Sequence, residues 1–290
     1  MPLPCFAYGS NTDAADWRRW CDTQGIDAGG VQPVGTALLP DHALCFDYFS
    51  RGRGGGALNL RHRPGGYVEG VLLQADAAGW AALDRKEGAP DWYQRVQRTA
   101  ILADGTAQPV ATYVVAPHRL RAHCPPSDAY RDIVCRGFAA HGLDPAPVLA
   151  AAEHGEGCHP LPWVFTYGTL MRGESNHQVA SGAPGGLLEA VPARATGRLH
   201  DLGAYPGLAL DPAVPVAGEL LRFGDIAAAL VAMDALEDAL PMGAPGGMYR
   251  RTILAVTDAA GRRRRAWAYV MEAAALAGAP VIAAGDWRRR

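Results

Sequence analysis

Lysine is almost missing from this chain: Lys86 is the only one, and arginine carries the remaining basic charge. Together with abundant alanine and glycine, that skew reads as coding bias and is given no chemical meaning. No run approaches the roughly 18 uninterrupted apolar residues of a membrane-spanning helix, so no span is expected. The opening MPLPCFAYGSN has neither a basic segment nor a long apolar one, so it does not read as a secretory leader. None of the six cysteines forms a C-x-x-C pair, and all lie in the first 158 residues. Without a leader they are expected to be reduced and buried as small hydrophobes. A formal net charge of −2 argues against nucleic-acid and polybasic membrane roles. What remains is a chain of 290 residues, nearly half of them apolar. That is enough for one large domain or two of about 150 residues, and a cytoplasmic globular protein is expected.

The first positive signal is a repeat. CFAYGSN at 5–11 is echoed by VFTYGTL at 164–170. In the first half, short alternating or apolar runs at 43–49, 57–61 and 67–75 precede a helical stretch at 76–88 that opens on an N-cap residue, Asp76. Runs at 92–102 and 109–116 then flank the turn ADGT as a hairpin. The second half repeats the order: a strand at 215–223, a helix at 225–240, then strands at 248–257 and 264–272 around DAAG. Leu83-Asp84-x-x-Glu87 aligns with Met233-Asp234-x-x-Glu237, Tyr93-x-Arg95 with Tyr249-x-Arg251, and Tyr113 with Tyr269. Matches in one order point to tandem duplication, with domains at 1–155 and 160–290 and a Gly- and Pro-rich linker within 153–162. The first half alone continues into two further helices, at 124–143 and 144–157. Each half is expected to be a small mixed α/β or α+β domain with a curled sheet. Periodicity leaves sheet order and barrel closure open.

Tyr-Gly-Ser or Tyr-Gly-Thr after an apolar strand suggests a sharp turn in which glycine permits close backbone approach. Successive N–H groups in such a turn can cradle a carboxylate or an oxyanion. Glu87 and Glu237 each end a predicted helix, where the macrodipole disfavours negative charge. A partly buried carboxylate there would have its pKa raised toward the range useful for proton transfer. Alone, each feature is equally a tight turn with a core tyrosine or a solvated helix-end glutamate. Tyr93 and Arg95 share one face of a strand, as do Tyr249 and Arg251, so the tyrosines can line a pocket while the arginines pair with carboxylates. The RRRR run at 262–265 reads as a solvated hairpin tip. His154, Cys158 and His159 match no zinc spacing, so no metal is expected. Ser10 has no His/Asp pattern near it, though sequence separation does not exclude a triad.

FAYGSN, GVLLQADAAGWAALDRKEG, WYQRV, ATYVVAP and PPSDAYRDIVCRGFAAHGL together resemble the gamma-glutamylcyclotransferase family over residues 3–153. VFTYGTLMRGESNH, ATGRLHDLGAYPGLAL, VAGELLRF, MDALEDAL, MYRR and GDWR resemble its AIG2-like branch. The resemblance implies an α+β fold of two tandem domains, each a small curled, barrel-like sheet with a few helices and a pocket at its mouth. It implies that Tyr8, Gly9, Ser10 and Asn11, with the adjoining Phe6 and Ala7, bind the glutamyl moiety and that Glu87 is the acid/base. Tyr93, Tyr113 and Tyr130 would line that pocket. By the same carry-over, Tyr167, Gly168, Thr169, Leu170 and Tyr249 would bind in the second copy, with Glu237 catalytic. There Asp238 stands where the first copy has Gly88, and an extra carboxylate is expected to raise the pKa of Glu237 or crowd the site.

The implied reaction releases 5-oxoproline from a gamma-glutamyl amino acid or amine, without cofactor or metal. Two alternatives remain open: a non-catalytic module binding gamma-glutamyl ligands, and a gamma-glutamyl amide hydrolase. The expected partner is a small molecule, with no nucleic acid or membrane. Differing loops and the Asn11/Leu170 difference suggest amino-acid amides for the first copy and gamma-glutamylamines for the second. Substrate identity, activity of both copies and oligomeric state are not legible in the residues.

Overall fold

The computed structural model describes residues 3–290; Met1 and Pro2, the start of the leader reading, lie outside the described residues. The chain divides into two compact units, one running to Leu102 and resuming over Gln108–Pro160, the other comprising Ala103–Ala107 and Leu161–Arg290. The first unit contains strands β1 (Cys5–Ala7), β2 (Val31–Ser50), β3 (Gly55–Ala75), β4 (Tyr93–Ile101), β5 (Ala107–Val115), β6 (Glu156–Gly157) and β7 (His159–Pro160). Its helices are α1 (Ala14–Gln24), α2 (Ala77–Glu87), α3 (Asp128–Ala140) and α4 (Ala146–His154). The sheet runs β6-β2-β4-β5-β1-β3-β7, and a further β2–β3 pairing closes its five central strands into a barrel.

The second unit contains β8 (Trp163–Thr166), β9 (Leu187–Thr196), β10 (Arg198–Asp201), β11 (Pro206–Ala209), β12 (Pro215–Phe223), β13 (Arg250–Asp258) and β14 (Arg263–Val270), with α5 (His177–Ser181) and α6 (Ile226–Leu236). Its closed barrel runs β12-β8-β14-β13-β9; β10 pairs with β11 outside it and bridges to Val281 through His200. Taken from β9, this is the ring of the first unit: β2, β4, β5, β1 and β3 correspond to β9, β13, β14, β8 and β12. The one parallel contact falls in the same place, Cys5 against Ala111 and Val164 against Trp267. The duplication is therefore present in strand order as well as in sequence, and the fold is two tandem α+β barrels.

The barrels close because alternate side chains fill them. Phe6, Leu44, Phe46, Leu58 and Val71 pack inside the first, and Phe165, Val216, Leu220, Ala266 and Ala268 fill the second. Two expectations from local punctuation change. The runs at 43–49, 57–61 and 67–75 belong to two long strands, because Pro33, Pro40 and Gly65 do not break them. Register shifts at Pro33/Gly35, Pro40/His42 and Cys45/Tyr48 bend β2 instead, as bulges do. The second shift holds Asp41 at φ 56°, and its carboxylate accepts from the Gly65 N–H at 2.9 Å.

The boundary between the units falls within 153–162, after Pro160, but the residues before it join the first sheet, since β6 pairs with β2 and β7 with β3. Of the cysteines, Cys5, Cys21 and Cys45 are buried as expected; Cys124, Cys135 and Cys158 are partly exposed, and all six are free thiols. The RRRR tip is not merely solvated: Arg262 and Arg264 both reach the buried Asp258 carboxylate, at 2.8 and 3.5 Å. Among the described residues no helix is long and apolar enough to cross a membrane.

Each helix that ends beside the barrel mouth is fixed twice. At its start, Asp76 accepts from the Gly79 N–H at 2.7 Å and Asp225 from the Ala228 N–H at 3.1 Å, as N-caps. At its end, a tyrosine relay holds it. Tyr8 Oη donates to the Tyr113 carbonyl at 2.6 Å, and Tyr113 Oη donates to Asp84 Oδ1 at 2.6 Å. In the second unit Tyr167 donates to the Tyr269 carbonyl at 2.6 Å, and Tyr269 to Asp234 at 2.7 Å. Arg95 and Arg251 complete the relays through ion pairs with Asp84 (3.4 Å) and Asp234 (3.0 Å).

Removing the first hydroxyl leaves a buried carbonyl unsatisfied. Tyr8→Phe is therefore expected to lower the stability of its unit by about 1–3 kcal/mol, with Tyr167→Phe acting alike on the other. Urea unfolding followed by near-UV circular dichroism reads this, and an unmoved midpoint rejects it.

Candidate active site

In the first unit the Tyr8-Gly9-Ser10-Asn11 turn leaves β1 and tightens into a single 3-10 turn, with the Thr12 N–H on the Gly9 carbonyl at 3.0 Å. The first N–H groups of such a turn have no acceptor within it, so those of Ser10 and Asn11 remain available. Facing them is the C-terminal end of α2, where Gly88 takes φ 62°. A side chain at Gly88 would also meet Trp92 at 2.8 Å. Glu87 is thus the last helical residue, one turn beyond Asp84, whose carboxylate the relay fixes. Asn11 Nδ2 donates to Glu87 Oε1 at 2.7 Å, joining turn and carboxylate directly.

A cavity of about 340 Å³ opens here, lined by Ser10, Arg53, Lys86, Glu87, Tyr93 and Tyr130 among others. Tyr93 is positioned by donating to the Leu58 carbonyl at 2.8 Å. The remaining expected residues serve around it rather than line it. Phe6 and Ala7 are buried in the barrel wall, and Tyr8 and Tyr113 are spent in the relay. Gly9 lies behind the cavity with Tyr130 Oη about one van der Waals contact away, 3.5 Å from where a β-carbon would stand.

An ion cluster that the sequence did not disclose surrounds Glu87. Arg53, from the tip joining β2 and β3, holds Asp16 of α1 at 3.0 and 2.8 Å and also donates to Ser10 Oγ at 3.1 Å. Lys86 Nζ binds the same Asp16 at 3.1 Å, with its side chain only 5 % exposed. Burial works against the Asp16 carboxylate, yet the Arg53 and Lys86 contacts bring it down to about 2. Burial also raises the Glu87 pKa, opposed by the Lys86 charge, the Asn11 amide and Arg53. The single lysine, discounted as coding bias, therefore stands beside the candidate acid/base, Glu87.

The second unit builds the same geometry with different chemistry. Tyr167, Gly168, Thr169 and Leu170 repeat the turn, with the Met171 N–H on the Gly168 carbonyl at 3.0 Å. All four line a cavity of about 240 Å³ with Glu237, Tyr249 and Tyr269, together with Tyr205, Leu236 and Met248, which sequence reasoning missed. Tyr249 donates to the Pro206 carbonyl at 2.6 Å, matching Tyr93.

The helix stops at Leu236, four residues short of the expected end, and Asp238 takes the left-handed role of Gly88 with φ 46°. Asp238 is exposed and is no cause of the shift at Glu237. Burial alone pushes that carboxyl up to about 7. The expectation that Asp238 raises it is thus corrected, because its side chain turns to solvent. Leu170 supplies no amide and Leu236 no ammonium, so among the described residues nothing offsets the burial. Also among the described residues, no cluster of three or more His, Cys, Asp or Glu could hold a metal ion.

The chain matches the family described as gamma-glutamyl cyclotransferase, AIG2-like, at residues 5–132 and again at 164–289. It belongs to that family. No curated protein matches it in sequence. Among solved structures it is similar to a protein named gamma-glutamyl cyclotransferase, with 22% identity and a TM-score of 0.43 over 52% of this chain and 85% of that one. A further likeness is to an uncharacterized protein from Homo sapiens, 23% identical with a TM-score of 0.44, covering 55% and 88% respectively. YkqA from Bacillus subtilis is 13% identical with a TM-score of 0.34, and that match spans 94% of this chain and 84% of the other. The two family matches fall on the two barrels, each with a tyrosine-glycine turn and a helix-end glutamate.

The raised Glu237 pKa has a consequence for stability. A carboxyl that holds its proton more tightly folded than unfolded favours the folded state while protonated. That contribution is complete below about pH 4.5 and is lost as pH rises toward about 7. Wild type measured against Glu237→Gln should lose relative thermal stability across that interval and change little above it. A difference that is flat with pH would count against the buried, uncompensated carboxyl.

Proposed function

We propose that the protein is a gamma-glutamyl cyclotransferase that cleaves gamma-glutamyl amides by internal attack. The observation that carries this reading is the 2.7 Å contact of Asn11 with Glu87, which ties the Tyr-Gly-Ser turn to a part-buried carboxylate, with Ser10 of that turn and Glu87 both lining the cavity. The substrate's α-carboxylate rests against the Ser10 and Asn11 N–H groups, a natural place for an anion. Its α-ammonium then gives a proton to Glu87. The freed amine attacks the γ-carbonyl, forming the ring C–N bond. The former amide C–N bond breaks as Glu87 returns that proton to the departing nitrogen, and the second proton of the ring nitrogen follows through the same carboxylate, leaving a neutral lactam and an ammonium. The products are 5-oxoproline and an amine or amino acid, with no water consumed.

Holding both ends of one molecule together supplies a large part of the rate, so a sparse site is sufficient. Glu87 suits both transfers because burial raises its pKa while Lys86, Asn11 and Arg53 keep the ionised form accessible. Tyr93 and Tyr130 wall the cavity, while Phe6, Ala7, Tyr8, Gly9 and Tyr113 hold the turn and strand in place. Glu237 and the Tyr167–Leu170 turn would perform the same transfers in the second unit, beside Tyr249.

The test is release of 5-oxoproline from gamma-glutamyl-alanine by the full chain in which Glu237→Gln silences the second unit. Adding Glu87→Gln is expected to lower kcat by about 10²-fold or more with the fold retained by circular dichroism. Undiminished release rejects Glu87 as the acid/base, and glutamate in place of 5-oxoproline identifies a hydrolase.

A further inference from the structure

We propose that the two units select by the charge of the departing group: Arg51 and Arg85 read an anionic one in the first unit, and the second takes an uncharged, apolar amine. This deepens the cyclotransferase reading and rests on it.

In the first cavity Arg53 and Lys86 are both committed to Asp16. Arg51 and Arg85 also line that cavity, are exposed, and have no side-chain hydrogen bond or ion pair among the described residues. They come from different elements, the tip between β2 and β3 and the last turn of α2. A helix C-terminus favours a cation, which accounts for Arg85 standing where it does but not for Arg51. The glutamyl part brings one carboxylate and one ammonium, which the turn and Glu87 answer. Two guanidiniums are therefore left over at the mouth, and a guanidinium fork suits a carboxylate there. Low-dielectric walls concentrate their field on whatever extends outward.

The duplicated cavity reverses each element of this. Among the described residues no lysine, arginine or histidine lines it, and Glu237 is the only charged residue that does. Leu236 occupies the place of Lys86, and Met248 and Leu236 are 42% and 37% exposed at the mouth. Tyr205, from the connection between β10 and β11, lines this cavity, whereas the tip between β2 and β3 supplies arginines in the first unit. An anionic departing group would lose water here with no counter-charge and would face the Glu237 carboxylate. An alkyl amine meets Leu, Met and Tyr surfaces.

The test uses the full chain with one site silenced by Glu87→Gln or Glu237→Gln and a probe pair that differs in one charge: gamma-glutamyl-alanine and gamma-glutamyl-alaninamide, with gamma-glutamyl-isopentylamine as the apolar probe. The first unit is expected to favour the carboxylate over its amide by about tenfold in kcat/KM, as a charge-assisted contact allows. Arg51→Gln with Arg85→Gln should erase most of that ratio, and added salt should shrink it in the parent chain. The second unit should show the opposite order and turn over the isopentylamide best. Equal kcat/KM for the matched pair at the first unit overturns the proposal, as does a ratio that survives the double substitution. If no probe yields 5-oxoproline, the reaction itself fails. Calorimetric binding of the same pair then decides the charge preference by the same ratios.

Discussion

A tyrosine hydroxyl that crosses to a backbone carbonyl holds each site together. Tyr8 ties the turn after β1 to β5 through the Tyr113 carbonyl, and the Tyr113 side chain carries the connection to Asp84 on α2. Glu87 lies one helical turn further on, so its carboxylate is placed by the same chain of contacts. Tyr167, Tyr269 and Asp234 repeat the arrangement to within 0.1 Å in each hydrogen bond. Breaking the relay would free three elements together, which is why neither unit departs from it.

Around that fixed frame the electrostatics are free to differ. The first unit gathers Asp16, Arg53 and Lys86 beside its glutamate, while the second leaves Glu237 with burial alone. One carboxylate in one backbone position thus acquires two settings without any change of scaffold. Even the residue after the glutamate follows this pattern, since glycine and aspartate both meet the left-handed turn there. Asp238 accepts some backbone strain and keeps its charge in solvent.

What was legible in the sequence is what both halves share. The two turns, the aspartate and glutamate one turn apart, and the tyrosine of β5 or β14 stood out because their order recurs, and each now has a contact that explains its spacing. The ion cluster was invisible for the converse reason. Asp16, Arg53 and Lys86 are far apart in the chain and have no counterpart in the second half, so a repeat cannot reveal them. The end of α6 was misplaced because Glu237, Ala239 and Leu240 continue helical propensity past Leu236, whereas the stop is set by the backbone at Asp238. The lengths of β2 and β3 were hidden by Pro and Gly residues that mark bulges rather than ends.

The near-absence of lysine has a practical side. The one ε-amine in the protein is buried against Asp16, 3.1 Å from its carboxylate and 5.4 Å above the Trp17 ring. An amine-selective acylating reagent consequently has one side-chain target, and reacting there requires its ion pair with Asp16 to break. The rate of labelling at Lys86 is thus a built-in gauge of how often that ion pair opens, read from a single residue of the candidate site.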